Sequence, residues 1–196
     1  MKKGITGIII AAVIVLGGFI WVKNGYNKMV ASDENVQAAW SQVENVYQRR
    51  ADLIPNLVAT VKGYAAHEAQ TLENVVAARA KATQVTVDPA DLTPEALAGY
   101  NAVQGELSAA LGKLLMITEN YPDLKANQNF LELQAQLEGT ENRITTERMK
   151  FNDTAKGYNT LIRTFPNNIL ASAFNFEKKG YFEAQAGAET APKVEF

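Results

Sequence analysis

Residues 49–68 read RRADLIPNLVATVKGYAAHE. Apolar side chains recur there at alternating steps of three and four. Ile54, Leu57, Val61 and Tyr64 fall on one face of a helix, and Leu53, Val58 and Ala65 widen it. Continued outward at the same steps, the stripe runs Val36, Trp40, Val43, Tyr47, Arg50, then through the quoted stretch to Glu68, Thr71 and Val75. Nine of its twelve positions are apolar or aromatic, a pattern close to a coiled-coil repeat. Strand-like alternation is missing, so the expected class is all-α. Pro55 interrupts the stripe without breaking its phase. Either the helix continues with a kink, or it restarts with Asp52 as N-cap and Pro55 in the first turn. The unbroken phase favours the kink. An unkinked helix over 24–83 would be about 90 Å long.

Downstream, residues 84–94 (QVTVDPADLTP) form a break with two prolines. Thr93-Pro94-Glu95 then has the order of an N-cap, a first-turn proline and a first-turn acid. A second helix carries Leu97, Tyr100, Val103, Leu107, Leu111, Leu114 and Ile117, and Tyr121-Pro122 ends it. Asn127 is placed to cap a third helix, which Pro166 stops. The expected architecture is an elongated antiparallel bundle of three to four helices over 24–182, with a mobile tail over 183–196. The first helix is longer than either partner. Its membrane-proximal part is therefore expected to be a free stalk or to find a partner in another subunit, and the second is favoured because a stripe bearing Trp40, Val43 and Tyr47 should not face water alone.

Upstream lies an uncharged run from Gly4 to Val22. As a helix, Ile5–Val22 spans about 27 Å, close to the hydrocarbon thickness of a bilayer. Lys3, Trp21 and Lys23 mark its boundaries, with Tyr26 as a further interfacial aromatic. A cleaved signal peptide is the competing reading. Phe19, Ile20 and Trp21 follow Gly17-Gly18 and supply no small-residue pair, so a retained anchor over 1–23 is expected. Two lysines precede the span, and Lys23 and Lys28 follow it, so the positive-inside rule ties and sets no side.

Composition limits the chemistry. The 196 residues carry a formal charge of −2, with 47 % hydrophobic and 20 % charged residues and no cysteine. Thiol catalysis, disulfides and cysteine metal sites are excluded. The first 23 residues hold three lysines and no acid, so the remainder carries −5 and has no pull toward nucleic acid or anionic lipid. No serine lies in a nucleophile elbow. A di-metal bundle site needs two Glu-x-x-His pairs, and the chain has one histidine. Glu138 and Glu141, beside Arg143 and Arg148, read as a solvated ion-pair face. No phosphate-binding glycine loop occurs. No catalytic residue, metal or cofactor is expected.

The candidates left are positions for an interface or for register: Trp40, Tyr47, Arg50, His67 and Glu68. Arg50 and Glu68 fall on the seam, where a charge needs a partner and can set register. His67 borders the seam, as a flank residue hydrogen-bonded to a neighbouring helix or as a pH-responsive contact.

Several long motifs occur in order: YNKMV (26–30), AAWSQVENVYQRRADLIPNLVATVKGYAAHE (38–68), ENYPDLKANQNFLELQAQLEGTENRI (119–144), FNDTAKGYNTLIRTFP (151–166), then GYFEAQ and APKVEF. With the N-terminal span, they make the chain resemble the LemA family of bacterial membrane proteins over almost its whole length. The resemblance implies a single-pass protein of the bacterial cell membrane, a helical bundle and no established catalysis. A relative associated with magnetosome membranes points toward membrane organisation by analogy. A cytoplasmic domain with the short N-terminus outside, as the resemblance allows, is neither supported nor opposed by the lysine tie.

The expected function is a membrane-anchored helical scaffold, touching lipid through its first helix. It would act as a homo-oligomer or by docking a protein partner. The alternative is a membrane-tethered sensor or ligand-binding bundle, with a pocket between helices near Pro55 and His67.

Overall fold

The computed structural model describes residues 2–183, with the side chains of residues 2–4 and 6 left out. The expected tail over 183–196 therefore lies, apart from Glu183, outside the described residues, and so does the side chain of Lys3. Six helices follow one another: α1 (Lys2–Tyr64), α2 (Ala69–Gln84), α3 (Pro94–Thr118), α4 (Pro122–Lys125), α5 (Gln128–Arg163) and α6 (Asn167–Ala173). No strand occurs among the described residues. The caps sit where the sequence places them. The Thr93 hydroxyl accepts from the Ala96 amide at 3.2 Å, and the Asn127 side chain accepts from the Phe130 amide at 3.0 Å.

The helix continues through Pro55 and does not restart there, the first of the two arrangements considered. It then stops, which corrects the expected 24–83 helix. Residues 65–68 turn the chain, and α2 folds back along α1, where the Arg79 Nε donates to the Ala51 carbonyl at 2.7 Å. The stripe follows this break. Val36, Trp40, Val43, Tyr47, Arg50, Ile54, Leu57 and Val61 are buried, whereas Tyr64 is 45 % exposed. In α2 the buried face is Leu72, Val75, Ala78 and Ala82, so Thr71 is not its leading residue. The turn is tied down by Tyr121 Oη donating to the Glu68 carboxylate (2.9 Å) and Asn127 Nδ2 donating to Tyr64 Oη (2.9 Å).

The long helices alternate in direction, and backbone packing is closest between α1 and α5, α2 and α3, and α1 and α2. Two apolar cores stack along α1. The far core joins Ile54, Leu57 and Val61 to Leu107, Leu111 and Leu114 of α3 and to Phe130 and Leu137 of α5. The near core joins Met29, Trp40 and Tyr47 to Phe151, Tyr158 and Leu170, with Val87 and Leu92 from the α2–α3 loop.

The near core removes the expected need for a second subunit. Trp40 is 0 % exposed within one chain. Its indole meets Tyr100 and Phe151 edge-on at 5.1 and 5.8 Å and stacks on Phe182 at 5.9 Å. Part of this cover, Phe182, comes from the last described residues. Asn175, with φ 56°, takes the left-handed position that ends α6, and the Phe176 amide closes back on the Ala171 carbonyl. The chain then runs down α5 as an extended strap over residues 177–183.

Candidate functional site

Two polar features are built into this bundle. The first is a layer between the two cores, centred on Arg50, which is 1 % exposed. One seam step separates it from Tyr47 above and Ile54 below. Nη1 donates to Ser108 Oγ and Glu141 Oε1, both at 2.7 Å. Nη2 donates to Gln104 Oε1 at 2.7 Å and to the Gln104 carbonyl at 3.2 Å. The guanidinium also lies over the Tyr47 ring, 5.0 Å from its centroid. Three helices thus converge on one cation, which answers what a charge on the seam pairs with. Glu141 is the counter-charge, not part of a solvated face as its neighbours suggest. Its side chain is 46 % exposed and reaches inward from the rim. Burial pushes the Tyr47 and Tyr100 phenols above their usual range, so both stay neutral beside the arginine. A space of about 170 Å³ borders the layer, lined by Glu44, Tyr47, Tyr100 and Gln104.

The second feature is the clamped strap. Asn159 Nδ2 donates to the Lys179 carbonyl (2.8 Å), and its Oδ1 accepts from the Lys179 amide (2.9 Å). Asn152 repeats the pairing one heptad earlier. Its Nδ2 donates to the Phe182 carbonyl (2.9 Å), and its Oδ1 accepts from the Phe182 amide (2.8 Å). A carboxamide has one donor side and one acceptor side, as a peptide group does. Two asparagines on one helix face therefore hold an extended chain as a neighbouring strand would. Lys179, 9 % exposed, adds an ion pair to Asp33 at 3.0 Å and donates to the Ala90 carbonyl at 3.0 Å. Gly180 lies against α3, where a Cβ would sit 2.8 Å from Pro94 backbone atoms. Arg148 finishes the clamp, with its guanidinium 4.6 Å from the Phe182 ring centroid and donating to the Glu183 carbonyl.

Trp40, Tyr47 and Arg50 thus come together along α1, while His67 and Glu68 do not join them. His67 lies exposed in the α1–α2 turn, which corrects its expected place beside a helix–helix seam. Glu68 precedes α2 and holds Tyr121 instead of occupying a continued seam. The hydrogen bond from Tyr121 to this carboxylate raises the phenol above its usual range. A space beside Pro55 is lined by Asn56, Ala59, Thr60 and residues of α5, and His67 is not on its wall. A cavity of about 810 Å³ lies between the N-terminal half of α3 and the strap, with Glu95, Asn101 and Arg163 on its wall. Trp21 and Lys23 remain exposed at the end of the apolar segment. No group of histidine and carboxylate side chains that could hold a metal occurs among the described residues. Sequence reasoning missed Asn152 and Asn159. Their spacing of seven on the buried side of α5 was the available signal.

The chain is 28 % identical over 182 residues to magnetosome protein MamQ 2 of Paramagnetospirillum magneticum, covering 84 % of this chain and 67 % of the relative. It is 27 % identical to magnetosome protein MamQ of Magnetospirillum gryphiswaldense with the same coverage. It is 25 % identical over 173 residues to protein LemA of Metamycoplasma hominis, covering 88 % of this chain and 75 % of the relative. A membrane location fits these relatives and the one helix among the described residues that is long and apolar enough to cross a bilayer. Residues 39–196 match the LemA family, from the buried α1 stripe through the clamped strap, and the chain belongs to that family.

Proposed function

We propose that the protein is a non-catalytic, single-pass membrane scaffold whose bundle docks a protein partner or a second copy at a bacterial membrane. One observation carries the reading. α1 passes from the apolar segment into both bundle cores as a single 63-residue helix, with no linker between them. A mere tether is served by a flexible joint. A helix shared by anchor and core fixes the bundle's position relative to the membrane. The near core is complete within one chain, so the buried stripe gives no support to self-association, and partner docking is the stronger arm. Similarity to proteins named for the magnetosome, a membrane compartment, supports a membrane-organising role. Crosslinking in cells with partner identification tests the proposal. A full-length chain that is strictly monomeric in detergent at all concentrations and crosslinks to nothing refutes it.

A second reading rests on the 810 Å³ cavity beside the strap, of a size that takes a small ligand. It makes the bundle a membrane-tethered sensor. A thermal-shift screen across ligand classes, repeated on Arg163→Ala, tests it. No stabilisation by any class removes this reading.

A further inference from the structure

The end of the bundle nearest the apolar segment carries exposed side chains that neither core uses. Phe165 is 76 %, Ile169 55 % and Phe174 47 % exposed. Ile169 lies on α6, Phe174 caps its C-terminal end and Phe165 precedes its N-cap, and α6 meets α1 at this end. Leu170 of α6 lies so close to Gly25 that a Cβ there would sit 2.6 Å from Leu170 Cδ1. Gly25 is three residues beyond Val22, the last residue of the apolar run, or about 4.5 Å of helix rise. Tyr26, itself 39 % exposed, meets Phe174 at 5.0 Å and Phe176 at 5.7 Å, both edge-on. Trp21 is 39 % exposed one turn earlier. Two distant parts of the chain therefore build one aromatic girdle at the level where the span ends.

We infer that α6 and its flanks form a second membrane contact, with Phe165, Ile169 and Phe174 seated in the interfacial layer of the bilayer that α1 crosses. The inference rests on the reading of α1 as a membrane span. The occupant follows from continuity. Any side chain within about 5 Å of the end of a span is already at headgroup depth. Aromatic and aliphatic side chains exposed at that depth match the aromatic belts that anchor proteins at membrane interfaces. Lys23 and Lys28, on α1 just past the apolar run, are exposed and carry the charge that lipid phosphates attract. Burial of this kind explains why a short helix is pinned to α1 at a glycine while its apolar residues face outward.

The chain lacks cysteine, so a single introduced cysteine carries a single nitroxide label. The full-length protein is reconstituted in vesicles of phosphatidylcholine and phosphatidylglycerol. Labels are placed at Leu16→Cys in the span, Ile169→Cys and Ser172→Cys on α6, and Asn129→Cys at the far end. Collision with dissolved oxygen and with a water-soluble nickel chelate reports depth. The expected result is a deep label at 16, an aqueous label at 129, and interfacial depth on α6, with nickel accessibility several-fold below that at 129. Combining Phe165→Ser and Phe174→Ser with the Ser172→Cys label should move that label into water while the label at 16 stays deep. Fully aqueous labels on α6 beside a deep label at 16 overturn the membrane contact and leave the span intact. An aqueous label at 16 overturns the span and the contact together. Spin–spin broadening on α6 that disappears on dilution assigns the patch to a second copy and also overturns the inference.

Discussion

Removing Glu141 should destabilise the bundle more than removing Arg50, and removing both should be less damaging than removing Glu141 alone. The asymmetry follows from burial, since the Arg50 side chain is 1 % exposed and the Glu141 side chain 46 %. Glu141→Ala leaves a guanidinium between two apolar cores with no counter-charge. Breaking a buried pair from that side costs about 3–5 kcal/mol, and access of water through the half-open rim puts the expectation near the lower end. Arg50→Met removes the charge and keeps most of the stem volume. Glu141 then turns to solvent at little cost. What remains is a buried Gln104 oxygen without its donor, at about 1–3 kcal/mol. Gln104 keeps its bond to the Ala82 carbonyl, and Ser108 keeps its bond to the Gln104 carbonyl. In the Glu141→Ala background, Arg50→Met should therefore stabilise, by about 1–2 kcal/mol, whereas alone it destabilises. Urea unfolding of the full chain in detergent, followed by far-ultraviolet circular dichroism, measures all four corners of the cycle; urea avoids screening the pair. If Arg50→Met costs the same in both backgrounds, the coupling is absent. If Glu141→Ala costs less than about 1 kcal/mol, the pair behaves as a surface one and the reasoning fails.

Asn159→Asp and Asn152→Asp each keep the acceptor for the strap amide but turn a carboxylate oxygen toward the strap carbonyl. The strap should open while the helices persist, and tryptic cleavage after Lys178 or Lys179 should speed up by about tenfold. Gly180→Ala drives a Cβ into Pro94 backbone, so it should lower stability by about 1–3 kcal/mol in the same urea assay. Burial, and then the negative charge of Asp33, push the Tyr158 phenol up to about 12. The native state thus favours the protonated phenol. Its stabilisation is fully present below the unfolded value of about 10 and is lost as pH rises through the native value. Stability measured between pH 10 and 12 should fall, and Tyr158→Phe should flatten the slope in that window.

The seam from Val36 to Val61 was legible because eight successive positions, spaced by three and four, all point into the bundle. The caps at Thr93 and Asn127 were legible because side-chain capping is a local event. The α1–α2 turn was not. Tyr64, Glu68, Thr71 and Val75 happen to keep the phase, yet the apolar face of α2 is led by Leu72. A helix restarts its phase freely after a turn, and Gly63 alone is a weak breaker. Arg50 was legible as a charge needing a partner, but Glu141, ninety-one residues away, looked like any rim glutamate. The strap was hidden for a different reason. Residues 177–183 have neither helical nor strand period, because their order comes from two asparagine side chains on another element. Without the strap, the cover over Trp40 had to be sought in a second molecule.

The unbroken α1 also works as a lever. Its 63 residues would measure about 95 Å, with about 60 Å beyond the apolar segment. Membrane helices adjust to bilayer thickness by tilting, commonly by about 20°. A rigid shaft of that length turns such a tilt into a sideways swing of about 20 Å at Tyr64. Bilayer thickness would thereby set how far from the anchor point the α1–α2 turn, with His67 exposed on it, can reach.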